Sequence, residues 1–408
     1  MRLPTVWHLT KKEILSTFRD RRALISNVVI PLLLMPVVML GLPRVLGGIF
    51  ESEAVSLTPV AVEGAEFLPE AMTGLLELSL IELRPVDNVE SAVRDGDVST
   101  GLVVPEGFDA QLESGEAPSL TIHTLAGNMQ SELATGKLNA AIGMYRQQLV
   151  TGAITAAGLD ASVLEPLRIV TMDASTEQQR SSGMFGWMIP FFIAMWALMG
   201  GQMTAIDATA GEKERGTMES LLVSPVSRFE VVIGKWLATM LFGLMASIAA
   251  ISGYLIGGAI MDRVSATAEE SAADSFSMVM GGSLTISPQV LIELFLSAVL
   301  LTAFISALLI AISMFARSFK EAQSYIGPLS IVLVIPAVAM QFRDFFDLGV
   351  VQYLIPILNA IIVMYDTVRG DSNLAGLAVT WISLAVFTVV LLLFAYRNFK
   401  REDVIFRT

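Results

Sequence analysis

Seven predominantly apolar stretches of this chain run for eighteen or more residues without an Asp, Glu, Lys or Arg: Ala23–Pro43, Ser181–Ile206, Trp236–Met261, Leu294–Ala316, Ala322–Phe342, Leu348–Tyr365 and Asn373–Tyr396. A helix rises about 1.5 Å per residue, so about 20 apolar residues cross a hydrocarbon core about 30 Å thick. The pattern predicts an α-helical polytopic membrane protein. Charged residues make up only 16% of the 408, against about 25% in soluble domains.

Charge sets the expected orientation, because cytoplasmic flanks of membrane spans carry excess Lys and Arg. Arg2, Lys11, Lys12, Arg19, Arg21 and Arg22 precede the first stretch, and Arg397, Lys400, Arg401 and Arg407 follow the last. Both termini are therefore expected in the cytoplasm, which requires an even number of crossings. Leu348–Tyr365 is the shortest stretch and holds Pro356 and Asn359, so it is expected to be a re-entrant or interfacial outer element. Six transmembrane helices remain. The first is a signal-anchor rather than a signal peptide: its apolar core is long and no small-residue cleavage pattern follows it. The expected organisation is a cytoplasmic amphipathic helix over 1–22 and a first span over 23–46. An extracytoplasmic α+β domain follows over 47–183. A transmembrane domain over 184–408 then holds five further spans, with the re-entrant element at about 348–365. Lys213, Arg215, Arg228, Lys235, Arg317 and Lys320 fall on inner loops.

Between Gly47 and Gly183 stand 20 acidic and 6 basic residues, which accounts for the whole net charge of −13. So acidic an extramembrane surface argues against a nucleic-acid partner. Within it, Leu57–Val62, Thr100–Val104 and Leu120–Thr124 are expected as strands. Pro69–Leu80, Val89–Arg94 and Met129–Ala156 are expected as helices. Cysteine is absent, which removes disulfides and thiolate metal sites. His8 and His123 are too far apart in the chain for a metal pair. Asp95 and Asp97 beside Gly96 resemble a fragment of a calcium loop whose other ligands are missing. No metal or cofactor site is legible.

The most specific local sequence is the loop segment Gly211–Arg228. Thr217 is placed to cap a short helix with Met218, Leu221 and Leu222 on its apolar face, and Pro225 ends it. Such a helix either rests on lipid or docks into a soluble partner. The pattern Glu212-x-Glu214-Arg215-Gly216-Thr217-x-Glu219-x-Leu221-Leu222-x-x-Pro225 resembles the coupling-helix motif of ABC-2 type transporter permeases. Lys11-Lys12-Glu13 with Arg19-Asp20-Arg21-Arg22-Ala23 and Pro31, and Ile355-Pro356-Ile357-Leu358-Asn359 with Asp366, also match that family. The whole pattern is most similar to the permease subunit of bacterial sodium-extruding ABC transporters.

The resemblance implies an ABC ATPase subunit docked at the cytoplasmic face, with the coupling helix at about 212–224. Glu212, Glu214, Arg215, Gly216, Thr217, Glu219, Leu221 and Leu222 would make the ATPase-coupling contact. It further implies a second permease copy, as homodimer or paralogous heterodimer, and a place in the bacterial cytoplasmic membrane. ATP and Mg would be bound through the partner. The resemblance implies that this chain is not an enzyme and does not hydrolyse ATP itself, and on the second point the sequence agrees independently. A P-loop requires G-x-x-x-x-G-K-[ST], whereas Gly136-Lys137 is followed by Leu138 and Gly234-Lys235 by Trp236. The amino-terminal segment, with Trp7, Ile14, Leu15 and Phe18 on one side, is expected to lie in the inner interface. Gln202, Thr204, Thr302 and Asn359 could offer oxygen ligands to sodium, but no substrate site is assigned. Relatives of similar architecture move drugs, lipids or peptides. A secondary transporter is disfavoured, because no span carries an ionisable residue near its centre. Six spans are excessive for a membrane-anchored assembly protein.

Overall fold

A computed structural model describes residues 2–38, 40–41, 45, 56–114, 117–159, 174, 176–183, 185–218, 225–265, 287–345 and 349–399. The chain divides into two compact units, Met1–Val45 with Ala174–Thr408, and Leu46–Asp173. The first unit begins with helix α1 (Leu3–Arg19), which has Pro4 in its opening turn, where a missing N–H costs nothing. Helix α2 (Ile25–Val38) covers part of the first apolar stretch and is π-helical over Ile25–Val29. The remainder of the expected first span is described only at Leu40, Gly41 and Val45.

The Leu46–Asp173 unit is built on a four-stranded sheet in the order β2-β1-β3-β4. The strands are β1 (Thr58–Glu63), β2 (Ile81–Pro85), β3 (Thr100–Val103) and β4 (Thr121–Thr124). Strand β1 pairs in parallel with β2 and β3, and β4 runs antiparallel to β3. Helices α3 (Glu70–Leu78), α4 (Val89–Arg94) and α5 (Phe108–Glu113) connect the strands, and α6 (Met129–Ala156) follows. Val60, Ala61 and Val62 are all fully buried, because helices cover both faces of the central strand. One face packs Val60, Val62 and Leu102 against Met72, Leu76 and Leu138, and the other packs Ala61 against Val89 and Val93. Gly101 has no room for a Cβ, since Val89 Cγ1 already occupies that space.

This layering corrects the α+β expectation: helices alternate with parallel strands, an α/β arrangement. The discrepancy traces to β2 and α5, neither of which was expected. Strand β2 is a five-residue edge whose last residue is Pro85. Proline is tolerated there because an edge strand has a free hydrogen-bonding side. Without β2 the β-α-β alternation is invisible.

The chain then re-enters the first unit through α7 (Glu177–Ser182), which opens on a capping box between Thr176 and Gln179. Next come α8 (Gly186–Glu214), α9 (Arg228–Ser265), α10 (Pro288–Ser313), α11 (Phe319–Arg343), α12 (Leu358–Arg369) and α13 (Leu374–Phe399). Among the described residues, five helices are long and apolar enough to cross a membrane: α8, α9, α10, α11 and α13. Helices α8 and α10 are central, each 67% buried over its apolar window, whereas α11 is 22% buried. The exposed side of α11 carries Ile331, Val332 and Ile335, residues suited to lipid contact.

Backbone contact holds the centre together. A Cβ on Gly200 of α8 would stand 2.6 Å from the Ala246 Cβ of α9, and one on Gly243 of α9 would stand 2.7 Å from the Ala197 carbonyl oxygen. Any larger residue forces the two helices apart. Asn27 in the π-helical turns of α2 donates to the Gly200 carbonyl at 3.1 Å, joining a third helix at the same level.

Two boundaries differ from the sequence expectation. Helix α8 does not stop at Ile206 but continues through a π-helical segment, Asp207–Gly211, to Glu214. Gly211 keeps a right-handed helical conformation within this run, and Gly216, at a φ of +69°, ends the helix. The Leu348–Tyr365 stretch is not one element. A 3-10 turn at Gln352–Leu354 leads to Ile357 at φ +74°, where α12 begins. Twelve residues span about 18 Å, too little to cross a bilayer.

Candidate coupling site

The amino-terminal helix lies along the start of α9. The Arg2 backbone N–H donates to Glu230 at 2.5 Å and its guanidinium donates to the Pro225 carbonyl at 2.6 Å. Glu230 also accepts from the Ser227 N–H while Ser227 accepts from the Glu230 N–H, a capping box that starts α9. Further along, Thr10 donates to the Gly234 carbonyl at 3.3 Å, and Gly234 leaves space for Leu9. The stripe of α1 that faces protein is Val6, Thr10 and Glu13, all buried, while Trp7, Leu15 and Phe18 are exposed. This division leaves the apolar side free to rest on lipid.

Glu13 belongs to an ion cluster that links three helices. Lys235 of α9 is 2% exposed; its ammonium lies 2.5 Å from Glu212 and 3.6 Å from Glu13, and donates to the Ala208 carbonyl at 2.5 Å. Lys12 of α1 meets the other Glu212 oxygen at 2.5 Å and Glu13 at 3.2 Å. Two cations thus face two carboxylates, and the charge closes. A buried ion is tolerated only when paired and hydrogen-bonded in this way. Burial alone would lower the Lys12 pKa, but its hydrogen bond to Glu212 and the charge of Glu13 hold it above the usual lysine value.

The end of α8 makes a second set of contacts. Lys213 donates to the Met314 and Ala316 carbonyls at the close of α10. Glu214 accepts from the Phe319 N–H at 2.9 Å, at the start of α11. Arg215 turns back to Asp207, donating to its carboxylate at 2.8 Å and to its carbonyl at 3.3 Å. That carboxylate holds the Arg215 pKa above its ordinary value, with Glu212 and Glu13 adding to the effect. Gly216 makes the turn, and Thr217 donates its hydroxyl to the Glu212 carbonyl at 3.2 Å. Met218 is buried, while Arg215, Gly216 and Thr217 face outward. Glu212, Lys213 and Glu214 thus tie this end of α8 to α1, α9, α10 and α11.

A cleft of about 530 Å³ opens beside the turn, lined by Ser16, Thr17, Asp20, Thr204, Asp207 and Arg215 among others. Among the described residues no group of three or more His, Cys, Asp or Glu is placed to hold a metal ion.

A different polar cluster occupies the opposite end of the bundle, where Tyr365 of α12 lies against Gly186 at the start of α8. Asp366 is 3.5 Å from Arg343 of α11, and Arg369 is 3.6 Å from Asp371. Burial pushes the Asp366 carboxyl up to about 6, against the pull of Arg343 and with a further push from Asp371. Its hydrogen-bonded neighbour Tyr353 is raised as well, by burial first and by the Asp366 charge second.

A bundle in which, among the described residues, five helices are long and apolar enough to cross a membrane accords with the sequence comparisons. The ABC-2 family transporter protein pattern matches residues 22–397. The chain belongs to the ABC-2 family of transporter proteins. It is 28% identical over 400 residues to the ABC transporter permease protein NatB of Bacillus subtilis (strain 168), covering 97% of this chain and 98% of that one. An uncharacterized protein of the same organism, YhcI, is 27% identical over 219 residues, 52% of this chain and 66% of that one. The chain is thus an integral membrane permease of an ABC transporter. It is not an enzyme, and ATPase activity lies in a partner subunit.

In this ABC-2 permease the expected coupling helix is divided. Glu212 and Glu214 belong to the end of α8, where Glu212 is 4% exposed and committed to Lys12 and Lys235. Of the expected contact residues, Arg215 and Gly216 form an exposed turn, and Thr217, also exposed, is helical with Met218, where the sequence expected the short helix to begin. Glu219, Leu221 and Leu222 lie outside the described residues. The ion cluster was not expected from the sequence: Lys235 was placed on an inner loop, Glu212 was assigned to the ATPase contact, and Glu13 had no assigned partner. The available signal was three charged residues close to apolar stretches, each needing compensation if buried.

Proposed function

We propose that this permease exports sodium or another small substrate, driven by ATP hydrolysis in a separate ABC ATPase that grips the turn at Arg215–Thr217. Both termini and this turn face the cytoplasm, in the cytoplasmic membrane of a bacterium, and the Leu46–Asp173 unit is extracytoplasmic. Two permease copies, identical or paralogous, work with two ATPase subunits, and ATP with Mg is bound by the ATPase. ATP draws the ATPase subunits together, and the turn passes that movement to the helices.

The observation that carries this reading is the Lys12–Glu13–Glu212–Lys235 cluster. It ties α1, the end of α8 and the start of α9 immediately next to the exposed turn, so a pull on the turn moves them as one body. The test is capture of the ATPase by tagged permease, with transport measured in vesicles containing both subunits. Arg215→Glu and Leu221→Asp are expected to abolish capture and transport while the helical content stays unchanged. Unaltered capture and transport in both variants would contradict the coupling role. Comparing sodium efflux with hydrophobic-drug efflux in the same vesicles separates sodium export from export of drugs, lipids or peptides.

A further inference from the structure

We infer that Glu293 is the charged ligand of an occluded site for a monovalent metal cation, completed by the neutral side-chain oxygens of Thr380 and Asn359 where α10, α12 and α13 pack. This deepens the proposed function and rests on it only for treating the ion as cargo; the binding itself stands on the following geometry.

Glu293 lies on α10, five residues after Pro288 and so about 8 Å along the helix. It is 6% exposed. One carboxylate oxygen accepts from the Gln289 amide at 2.8 Å, and the other is buried without a hydrogen-bond partner. Among the described residues no Lys or Arg pairs with it. An ionised carboxylate within a membrane span needs a compensating charge, and such residues mark ion paths. The compensating species is a proton or a metal ion, and the neighbouring groups decide between them.

Helices α10 and α13 run in the same direction. The Met314 carbonyl that ends α10 meets Lys213, and the Phe399 carbonyl that ends α13 meets Arg228, both at the coupling end. The Trp381 indole donates to Ser297 at 3.0 Å and sets their register. Ser297 is one turn from Glu293, and Thr380 adjoins Trp381. The 3-10 turn before α12 is pinned to α13 on both sides of Thr380: Tyr353 packs on Gly376, and Ser383 donates to the Leu354 carbonyl at 2.9 Å. Asn359 donates its amide N–H to the Tyr353 carbonyl at 3.1 Å. A carbonyl only accepts, which fixes the amide orientation and leaves Asn359 Oδ1 as an acceptor. Thr380 and Asn359 are fully buried, and neither Thr380 Oγ1 nor Asn359 Oδ1 has a hydrogen-bond partner.

A proton on Glu293 serves one oxygen and leaves Asn359 Oδ1 unsatisfied. A metal cation takes carboxylate, amide and hydroxyl oxygens together. The backbone here also suits one: the chain bends at Ile357, φ +74°, and the Tyr353 and Leu354 carbonyls turn to side chains. Interrupted helices at membrane depth are where transporters hold ions. One carboxylate matches one positive charge. Asp366, further along α12, already faces Arg343 at 3.5 Å, and among the described residues no group of three or more His, Cys, Asp or Glu is placed for a metal ion of higher charge.

The test uses the purified full-length permease without the ATPase. Thermal midpoints are measured in sodium, potassium and choline chloride at equal ionic strength, at about pH 8 and about pH 6. The native chain is expected to show a rise in sodium or potassium that choline does not give, needing several-fold more cation at the lower pH because the proton competes for the same carboxylate. Glu293→Gln keeps the shape, removes the charge and is expected to abolish the rise. Glu293→Asp and Thr380→Val are each expected to retain it at several-fold higher cation concentration. No cation-specific rise in the native chain at either pH, or a rise that survives Glu293→Gln, would overturn the inference. If Glu293→Gln fails to fold, Thr380→Val decides, and a response equal to that of the native chain overturns it. ATPase capture is a separate assay: its failure alone sinks the coupling role, whereas failure of the cation response alone sinks this site.

Discussion

Two buried ionic clusters sit at opposite ends of the same helical bundle and are solved differently. Around Lys235, two cations and two carboxylates compensate one another, and a backbone carbonyl completes the lysine. Around Asp366, the carboxylate lies 3.5 Å from Arg343, with Arg369 and Asp371 beside it, and burial prevails over the two arginines, leaving its pKa at about 6. The first arrangement fixes three helices in register. The second is poised to change charge in the physiological range. Both clusters set two cations against two carboxylates; the difference lies in contact, since Lys235 and Glu212 meet at 2.5 Å whereas Arg343 and Asp366 stand 3.5 Å apart.

The sharpest way to break the comparison is to remove one partner from the Lys235 cluster. Lys235→Ala leaves the buried Glu212 and Glu13 sharing the half-exposed Lys12 alone, and is expected to cost about 3 kcal/mol, read as a large drop in thermal midpoint of the detergent-solubilised protein. Near-native stability would mean that the cluster does not hold the helices. A smaller effect is expected from the other end. The folded pKa of Asp366 is raised from 3.8 to about 6, so the folded state binds this proton more tightly than the unfolded state. The stabilising contribution is full below about pH 4 and is lost as pH rises toward 6. The midpoint of the native chain minus that of Asp366→Asn is therefore expected to fall across this window, and a flat difference would refute the assignment. The smallest effect belongs to Lys12→Ala. Its side chain is 54% exposed, so its loss is expected to cost about 1 kcal/mol or less. A penalty as large as that of Lys235→Ala would show that the cluster is sealed from solvent on the Lys12 side as well.

Apolar length and charge made the helical membrane class legible in the sequence, because lipid leaves few alternatives for an uncharged run of twenty residues. Local periodicity placed β1, β3, β4 and the helices α3, α4 and α6 close to where they lie. It missed β2 because five residues ending in proline give too little alternation. Sequence alone also stopped α8 at Ile206, since a charged residue follows. The helix continues because Asp207 finds Arg215 eight residues on and because Glu212 finds Lys12 and Lys235. Those partners lie on α1 and α9, and only tertiary packing brings them together. For the same reason the motif Glu212–Leu222 was read as one helix facing one partner. The fold uses its first acid internally and presents Arg215, Gly216 and Thr217 outward. The cleft behind that turn was equally hidden, being a property of the packed helices.

The native chain has no cysteine, which makes one measurement especially direct. A single Thr217→Cys variant, reconstituted in vesicles with the ATPase and a thiol cross-linker, places the only reactive group of the permease on the exposed turn. The expected result is a permease–ATPase adduct that forms at Thr217→Cys and not at a control Thr124→Cys, with Thr217→Cys shielded from impermeant thiol reagents added outside. An ATPase that stays bound without forming the adduct, or a Thr217→Cys thiol labelled from outside, would contradict the account.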